Sequence, residues 1–139
     1  MYAIPEFALS VPDLTRWCAG NTGVEGVWRF KSGQAGPRVA ITALIHGNEV
    51  CGAWAASELL AWLHDGGTLL RGELTVALCN LQAFDRFDPQ QPDASRFLEE
   101  DLNRQWSPER LEAGTTRERR RAAALQPFVA QAGWQRDLH

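Results

Sequence analysis

The chain has 139 residues and a mass of 15.5 kDa, with 45% hydrophobic and 22% charged residues. A chain of this size and composition folds around one core, which excludes a disordered protein, and we expect a single domain over residues 1–139. Fourteen basic and seventeen acidic residues give a net charge of −3, which excludes a general nucleic-acid-binding surface.

The amino terminus and the cysteines bear on the compartment. Residues 1–6 lack a basic segment followed by an apolar one, and no apolar run of membrane-spanning length occurs, so we expect neither secretion nor membrane insertion. The three cysteines are odd in number and far apart. This usage predicts that Cys18, Cys51 and Cys79 are free thiols, buried in the case of Cys51 and Cys79, in a reducing cytoplasm.

The first predicted elements are a short helix and a strand. Ser10 can cap a helix over residues 11–18 that ends at Gly20, and we interpret this segment as a lead-in packed on a sheet. Residues 24–31 alternate moderately between apolar and other side chains, which predicts a strand near a sheet edge.

A strand, a tight turn and a helix form the centre of the predicted fold. Residues 38–45 are aliphatic and β-branched without alternation, which is typical of a strand buried on both faces. His46 follows at the carboxyl end of this strand, where open α/β sheets place their ligands. Residues 49–64 repeat apolar side chains at helical spacing and predict a largely buried helix. His64 ends that helix and is interpreted as structural.

The second half predicts two further strands and a helix. Residues 73–80 predict a strand parallel to the first, because a helix connects the two. Residues 81–100 are polar and broken by prolines, which predicts a long loop that continues as a solvated segment to residue 104. Residues 115–132 predict a helix with arginines 119–121 on a solvated face, and residues 133–139 predict a last strand. The predicted class is α/β, with a mixed, largely parallel sheet and helices on both faces.

The turn after the central strand can aim two side chains at one point. Gly47 and Asn48 permit a tight turn, and Glu49 follows in the first turn of the helix. An imidazole from His46 and a carboxylate from Glu49 are two of the donor types that zinc accepts. The alternative interpretation is a strand-end histidine and an acidic residue that stabilises a helix N-terminus.

The third donor of such a site has few candidates. A catalytic zinc needs three protein ligands and an open position, and the chain has only three histidines. With His64 assigned to a helix end, His139 remains, and it too would follow a strand. His46, Glu49 and His139 could therefore converge at one edge of the sheet.

Three motifs resemble the succinylglutamate desuccinylase and aspartoacylase family, which is related to the zinc carboxypeptidases. They are His-Gly-Asn-Glu at residues 46–49, Asp-Leu-Asn-Arg at residues 101–104 with an arginine at position 96, and Asp-Leu-His at residues 137–139. The resemblance covers roughly residues 38–139. It implies a zinc carboxypeptidase-like fold that stops here at the strand of the third ligand.

The resemblance implies a role for each matching residue in the metal site. It makes His46, Glu49 and His139 the ligands of one zinc ion. Asp101 would be the carboxylate that orients His46 and fixes its tautomer. The cofactor that follows from the resemblance is therefore a single Zn²⁺ ion.

The resemblance also implies substrate contacts and a reaction. Asn103 and Arg104 would hold the substrate carboxylate, for which a planar guanidinium is well suited. Arg96 would polarise the scissile carbonyl and stabilise the oxyanion that develops there. The implied activity is zinc-dependent hydrolysis of the amide bond of a small N-acyl amino acid.

The chain departs from the family after the third ligand. Family members continue past this point and supply a catalytic glutamate and a C-terminal domain. We therefore expect residues 1–139 to be an amino-terminal part that is inactive as a hydrolase, because the general base is missing. If a base does lie within the chain, Glu99 and Glu100 are the first candidates.

Two alternatives stay open on the sequence alone. A metallocarboxypeptidase that acts on peptides would use the same donor residues. A metal-binding or interaction module without turnover would agree with the missing base. An exposed edge at the last strand would also allow homo-oligomers to form.

Overall fold

The computed structural model describes residues 10–139. Predictions about residues 1–9, where the lead-in segment starts, lie outside the described residues. A single turn of 3-10 helix, Thr15–Trp17, replaces the predicted helix over residues 11–18. The turn begins there because Asp13 Oδ1 accepts a hydrogen bond from the Thr15 backbone N–H at 2.9 Å.

Four strands form one sheet in the order β1-β3-β2-β4. β1 (Val27–Lys31) pairs antiparallel with β3 (Glu73–Leu78) and lies at one edge. β2 (Arg38–Ala43) pairs parallel with both β3 and β4 (Trp134–Leu138). The predicted mixed, largely parallel sheet is therefore confirmed, and β4 forms its second edge.

Two long helices cover opposite faces of the sheet. α1 (Val50–His64) and α4 (Arg117–Ala130) belong to two separate apolar clusters. β3 serves both clusters because successive residues of a strand face opposite sides: Val76 packs with α1 and Ala77 with α4. No helix among the described residues combines the length and apolar character needed to cross a lipid bilayer.

α1 is buried along one stripe only. Ala53, Ala56 and Leu60 are fully buried at helical spacing, which confirms the apolar periodicity. Trp54 and Trp62 are 40% and 55% exposed, so the helix is less buried than expected. Its outer face is turned to solvent because only one side of the helix meets the sheet.

The predicted loop over residues 81–100 contains regular structure. It starts with a short helix, α2 (Leu81–Phe84), whose Ala83 N–H donates to Asn80 Oδ1 at 3.4 Å. Turns of 3-10 helix follow at Pro92–Ser95 and Leu102–Arg104, and α3 (Pro108–Ala113) precedes α4. The asparagine cap and the proline at a turn start explain these pieces, which the sequence analysis treated as irregular.

The prediction of a solvated arginine face on α4 is wrong for two of the three side chains. Arg119 donates to both carboxylate oxygens of Glu100, at 2.9 and 2.8 Å. Desolvation lowers the pKa of Arg121 below its usual value. The guanidinium of Arg121 donates to three backbone carbonyls, those of Glu25, Leu78 and Cys79. The start of α4 is therefore tied to the loop before it and to the end of β3.

The three thiols differ in exposure, which predicts a difference in reactivity. Cys51 is exposed, so its predicted burial is wrong; Cys18 is half-buried and Cys79 is buried. Burial raises the pKa of Cys79 to about 12. We expect an alkylating reagent at about pH 8 to modify Cys51 quickly in the folded protein and to leave Cys79 untouched. Timed labelling followed by mass spectrometry checks this; equal labelling rates would contradict the buried position of Cys79.

Candidate metal centre

Three side chains meet at the carboxyl-terminal edge of the parallel strands. β2 and β4 pair with Ala43 opposite Leu138, so His46 and His139 follow the same edge of the sheet. Glu49 lies at the N-cap of α1, three residues after His46. Because parallel strands end together, the residues that follow them come close in space.

The ligand atoms of His46, Glu49 and His139 lie within 4.8 Å of one another. Nδ1 of His46 is 2.5 Å from Glu49 Oε1, and Nδ1 of His139 is 3.0 Å from the same oxygen. The His46 side chain is buried, whereas that of His139 is 64% exposed. The cluster is therefore anchored on one side and open to solvent on the other.

An aspartate contacts the other ring nitrogen of each histidine. Nε2 of His46 lies 2.9 Å from Asp101 Oδ1, and Nε2 of His139 lies 3.0 Å from Asp137 Oδ2. Thr42 Oγ1 donates to the second oxygen of Asp137 at 2.7 Å and fixes that carboxylate. A neutral imidazole that donates from Nε2 keeps a free lone pair on Nδ1. Both Nδ1 lone pairs then face Glu49.

The contact between Asp137 and His139 is one that the sequence analysis missed. The two residues are separated by one position, and alternate residues of a strand lie on the same face. The spacing of Asp and His within residues 137–139 was the signal that could have revealed it. Asp137 thus contacts Nε2 of His139 in the same way that Asp101 contacts Nε2 of His46.

Two pKa values are shifted at the cluster. Burial raises the pKa of Asp101, but hydrogen bonds from His46 and from the Asn103 backbone N–H outweigh it and hold the pKa below its usual range. The hydrogen bond with Glu49 and the charge of Asp137 raise the pKa of His139 above its ordinary value. The shift of Asp101 reflects the donors around its carboxylate, and the shift of His139 reflects the two carboxylates beside its ring, which favour a cation there.

The cluster fits a divalent metal ion. Three acceptors that point at one position need a cation or a proton between them. The buried Oε2 of Glu49 has no hydrogen-bond partner among the described residues, and an orphaned buried oxygen is costly. Two imidazoles and one carboxylate with an open side are a donor set of catalytic zinc sites.

A strained residue precedes His46. β2 ends at Ala43, two residues earlier than predicted, because Leu44 adopts a left-handed φ of 59°. This conformation costs a non-glycine residue about 1–2 kcal/mol. The Leu44 side chain is fully buried, and its carbonyl accepts a hydrogen bond from the Asn80 N–H at 2.8 Å. Packing thus holds the bend that directs His46 toward Glu49.

Gly47 is required by the space around it, and this gives a testable prediction. A Cβ at this position would collide with the backbone of three residues, Ser95, Ala83 and Phe84. We expect Gly47→Ala to lower the free energy of unfolding by about 1–3 kcal/mol, because the surrounding backbone must shift. Gly133→Ala is the matched control, since its nearest heavy atom is 3.8 Å away. Urea unfolding compares the variants; equal stabilities would contradict the close approach.

The other expected site residues lie in the loop around Asp101. Arg96 Nη2 is 3.6 Å from Asp101 Oδ2, and the arginine side chain is 46% exposed. Asn103 lines a cavity of ≈ 300 Å³ that Asp137 also borders. Arg104 is exposed, and its backbone N–H donates to the Asp101 carbonyl at 3.0 Å. One short segment therefore carries the three polar groups that were expected to contact substrate.

Both candidate general bases are engaged elsewhere. Glu99 Oε2 accepts a hydrogen bond from the Arg117 backbone N–H at 2.6 Å. Glu100 pairs with Arg119 and accepts from Thr116 Oγ1 at 2.7 Å. These contacts hold the two carboxylates at the start of α4.

His64 lies apart from the cluster. It ends α1, whose 15 residues extend over about 22 Å, while Glu49 precedes the same helix. Its ring packs edge-on against Trp17 and Trp28, with centroids 5.8 and 6.2 Å away. The contacts of His64 are therefore those of a packing residue.

Two solved structures resemble the chain. The succinylglutamate desuccinylase from Chromobacterium violaceum has a TM-score of 0.65 and 23% sequence identity, over 82% of this chain and 36% of that chain. The corresponding protein from Vibrio parahaemolyticus has a TM-score of 0.55 and 19% identity, over 81% of this chain and 39% of that one. The chain thus spans less than half the length of either structure, and the likeness concerns the fold.

The sequence itself matches a known catalytic domain. No curated protein sequence matches the chain. Residues 35–139, well over half of the chain, match the family described as the succinylglutamate desuccinylase/aspartoacylase catalytic domain. The resemblance seen in the three motifs is thereby confirmed, and the chain belongs to the succinylglutamate desuccinylase/aspartoacylase family.

Proposed function

We propose that the chain is the metal-binding part of a zinc-dependent hydrolase that cleaves the amide bond of small N-acyl amino acids. The observation that carries the proposal is the convergence of His46 Nδ1, Glu49 Oε1 and His139 Nδ1. Asp101 and Asp137 support it by occupying the opposite ring nitrogens. Membership of the desuccinylase/aspartoacylase family supports the reaction class.

The side chains around the cluster prepare it for one zinc ion. Zinc in such a site supplies Lewis acidity and promotes the ionisation of water. Asp101 and Asp137 keep both Nδ1 lone pairs turned inward, so the donors are arranged before an ion arrives. Glu49 contributes the negative charge that a cation requires. The exposed side next to His139 leaves space for water and substrate.

Arg96 is proposed to donate to the carbonyl oxygen of the scissile amide. Its ion pair with Asp101 is long, at 3.6 Å, and its side chain is half-exposed. A guanidinium has five N–H donors, so this contact leaves others free to stabilise an oxyanion. Asn103 and Arg104 are proposed to hold the carboxylate of the substrate, where a planar guanidinium can donate two parallel hydrogen bonds.

We also propose that the chain of 139 residues hydrolyses its substrate slowly. Glu99 and Glu100, the two candidates for a base, are both bound at the start of α4. Positioned proton transfer contributes about 10²–10⁴-fold to the rate of such reactions. We therefore expect hydrolysis by this chain to be slower than that of a typical hydrolase by about this factor.

A hydrolysis assay tests the proposed function. The chain is loaded with Zn²⁺ and given N-succinyl and N-acetyl amino acids or, in parallel, peptides with a free carboxyl end. We expect slow release of amino acid from the N-acyl compounds, abolished by a chelator and by Glu49→Ala. Glu58→Ala, an exposed glutamate of the same helix, is the matched control and should keep the rate of the unmodified chain.

Each other outcome has a defined meaning. Preference for peptides would favour a metallocarboxypeptidase, and zinc binding without turnover would favour a non-catalytic metal-binding module. Hydrolysis that survives the chelator would contradict a metal-dependent reaction. Turnover at rates typical of enzymes would show that a base among the described residues had been overlooked, and Glu99 and Glu100 would be replaced first.

We also propose that the protein lies in the reducing cytoplasm. All three cysteines are free, and Cys51 is exposed. Exposed free thiols persist where the surroundings keep them reduced. The contacts described above need no disulfide to hold the sheet or the cluster.

A further inference from the structure

A buried carboxylate supports the loop that carries Asp101. Glu118 is only 1% exposed, although it lies in the first turn of α4, where solvent contact is usual for a glutamate. Its oxygens accept hydrogen bonds from three consecutive backbone N–H groups. These are Leu98 at 2.6 Å, Glu99 at 3.3 Å and Glu100 at 3.4 Å.

The backbone compensates the charge of Glu118. No salt bridge to this carboxylate occurs within residues 10–139, and Asn80 Nδ2 is its one side-chain donor, at 3.5 Å. Successive N–H groups that converge on one point form a concave site for an anion. A carboxylate that accepts several N–H bonds fixes the backbone that donates them, because each unpaired buried N–H would cost about 1–3 kcal/mol. Glu118 therefore sets the conformation of residues 98–100.

The loop and the helix hold each other from both sides. Glu99 and Glu100 accept hydrogen bonds from the first turn of α4, while Glu118 of that turn accepts from the loop. The next residue along the chain is Asp101, whose Oδ1 lies 2.9 Å from His46 Nε2. The backbone directly before Asp101 is thus held in place. On its other side, the Asn103 backbone N–H donates to Asp101 Oδ1 at 2.9 Å and Gln105 Nε2 donates to the Asp101 carbonyl at 2.8 Å.

We propose that Glu118 is a positioning residue for the metal centre, which acts by holding residues 98–100 so that Asp101 fixes the Nε2–H tautomer of His46. The inference rests on the proposed function for the metal, but the tautomer of His46 can be measured without metal. Glu118 has no contact with the cluster itself, so its effect is transmitted through Asp101. Its role is one that sequence motifs around His46 did not reveal.

The experiment compares Glu118→Gln and Glu118→Asp with two reference variants. Glu118→Gln keeps the shape but turns an N–H₂ group toward backbone donors, and Glu118→Asp keeps the charge but withdraws it. Asp101→Asn gives the full effect of losing the carboxylate at His46. Glu109→Gln, an exposed glutamate of α3, is the matched control for charge loss. Folding is checked by near-ultraviolet circular dichroism.

Two readouts separate positioning from stability. The ¹⁵N chemical shifts of the two His46 ring nitrogens, recorded without metal at one fixed pH, report the fraction of rings that carry a proton on Nε2. Zinc titration reports affinity in the folded protein. Loss of a residue that supports a metal ligand typically costs about 10–100-fold in affinity, which we expect for Asp101→Asn. Glu118 acts one step further from the metal than Asp101, so we expect Glu118→Gln to lower the zinc affinity by about 3–10-fold and to reduce the Nε2–H fraction. For both readouts, Glu118→Asp is expected to lie between Glu118→Gln and the unmodified chain.

The outcomes distinguish this inference from the proposed function. Folded Glu118 variants with unchanged tautomer and unchanged zinc affinity would overturn the inference. A changed tautomer in a chain that binds no zinc would sustain it and contradict the proposed metal. If the variants do not fold, amide hydrogen exchange in the unmodified chain decides: we expect slow exchange at Leu98 and Glu99, and exchange at the rate of an unfolded chain would overturn the inference.

Discussion

Replacing His46 or Glu49 by alanine is expected to lower the affinity of the chain for zinc by at least about 100-fold. Structural zinc sites with four ligands bind with about 10–16 kcal/mol, which is roughly 3 kcal/mol for each ligand. Both side chains are held in place before binding, and Glu49 Oε1 lies next to both histidines. Isothermal titration calorimetry with Zn²⁺ measures the change.

His64→Gln is the matched control for the loss of a histidine. Its ring packs against Trp17 and Trp28, so we expect the variant to lose stability and to keep the zinc affinity of the unmodified chain. Loss of zinc binding in a folded His64→Gln, together with normal binding by Glu49→Ala, would contradict the proposed ligand set.

The second large effect concerns Arg96. In an active form of the protein, Arg96→Ala is expected to lower kcat by about 10²–10³-fold, which is the usual effect of removing one donor to an oxyanion. Arg104→Lys should instead mainly raise KM, because an ammonium replaces the two-pronged guanidinium at the substrate carboxylate. Steady-state kinetics with an N-acyl amino acid separates the two parameters.

This experiment has two controls: replacement of an arginine outside the site and the amount of zinc bound by each variant. Arg71→Ala removes an exposed arginine before β3 and should leave both kinetic parameters unchanged. Zinc bound per chain should stay the same in all variants. An unchanged kcat in Arg96→Ala would remove Arg96 from the oxyanion role, and an unchanged KM in Arg104→Lys would remove Arg104 from the substrate role.

The sheet and the meeting of the three donors could be predicted because they follow from local patterns. The central strand was recognisable from its apolar run and is followed by His46, and a last strand was predicted before His139. Once His46 and His139 are placed at the ends of neighbouring parallel strands, they lie close together because these strands end at the same edge of the sheet. Glu49 follows from the short turn through Gly47.

The contacts that support the site could not be predicted in the same way. The sequence pattern assigned Arg119 and Arg121 to a solvated helix face. Glu118 lies on the buried stripe of α4 with Ala122 and Leu125, where such a pattern expects an apolar residue. The structure instead packs a polar loop and the end of a strand against these side chains, and several of their partners lie 18 to 96 residues away in the chain. Long-range polar contacts of this kind leave no periodic signal. Cys51 was misplaced for a related reason, since apolar neighbours in sequence do not show which side of a helix meets the sheet.

The most direct test of the account is a crystal structure of the chain grown with Zn²⁺, with anomalous scattering recorded at the zinc edge. We predict one anomalous peak, which marks a zinc ion bound by His46 Nδ1, Glu49 and His139 Nδ1 at about 2.0–2.2 Å from each donor atom. The Nε2 atoms should keep their contacts with Asp101 and Asp137. Zinc bound through other residues, with His46 and His139 apart and Glu49 turned away from both, would contradict it.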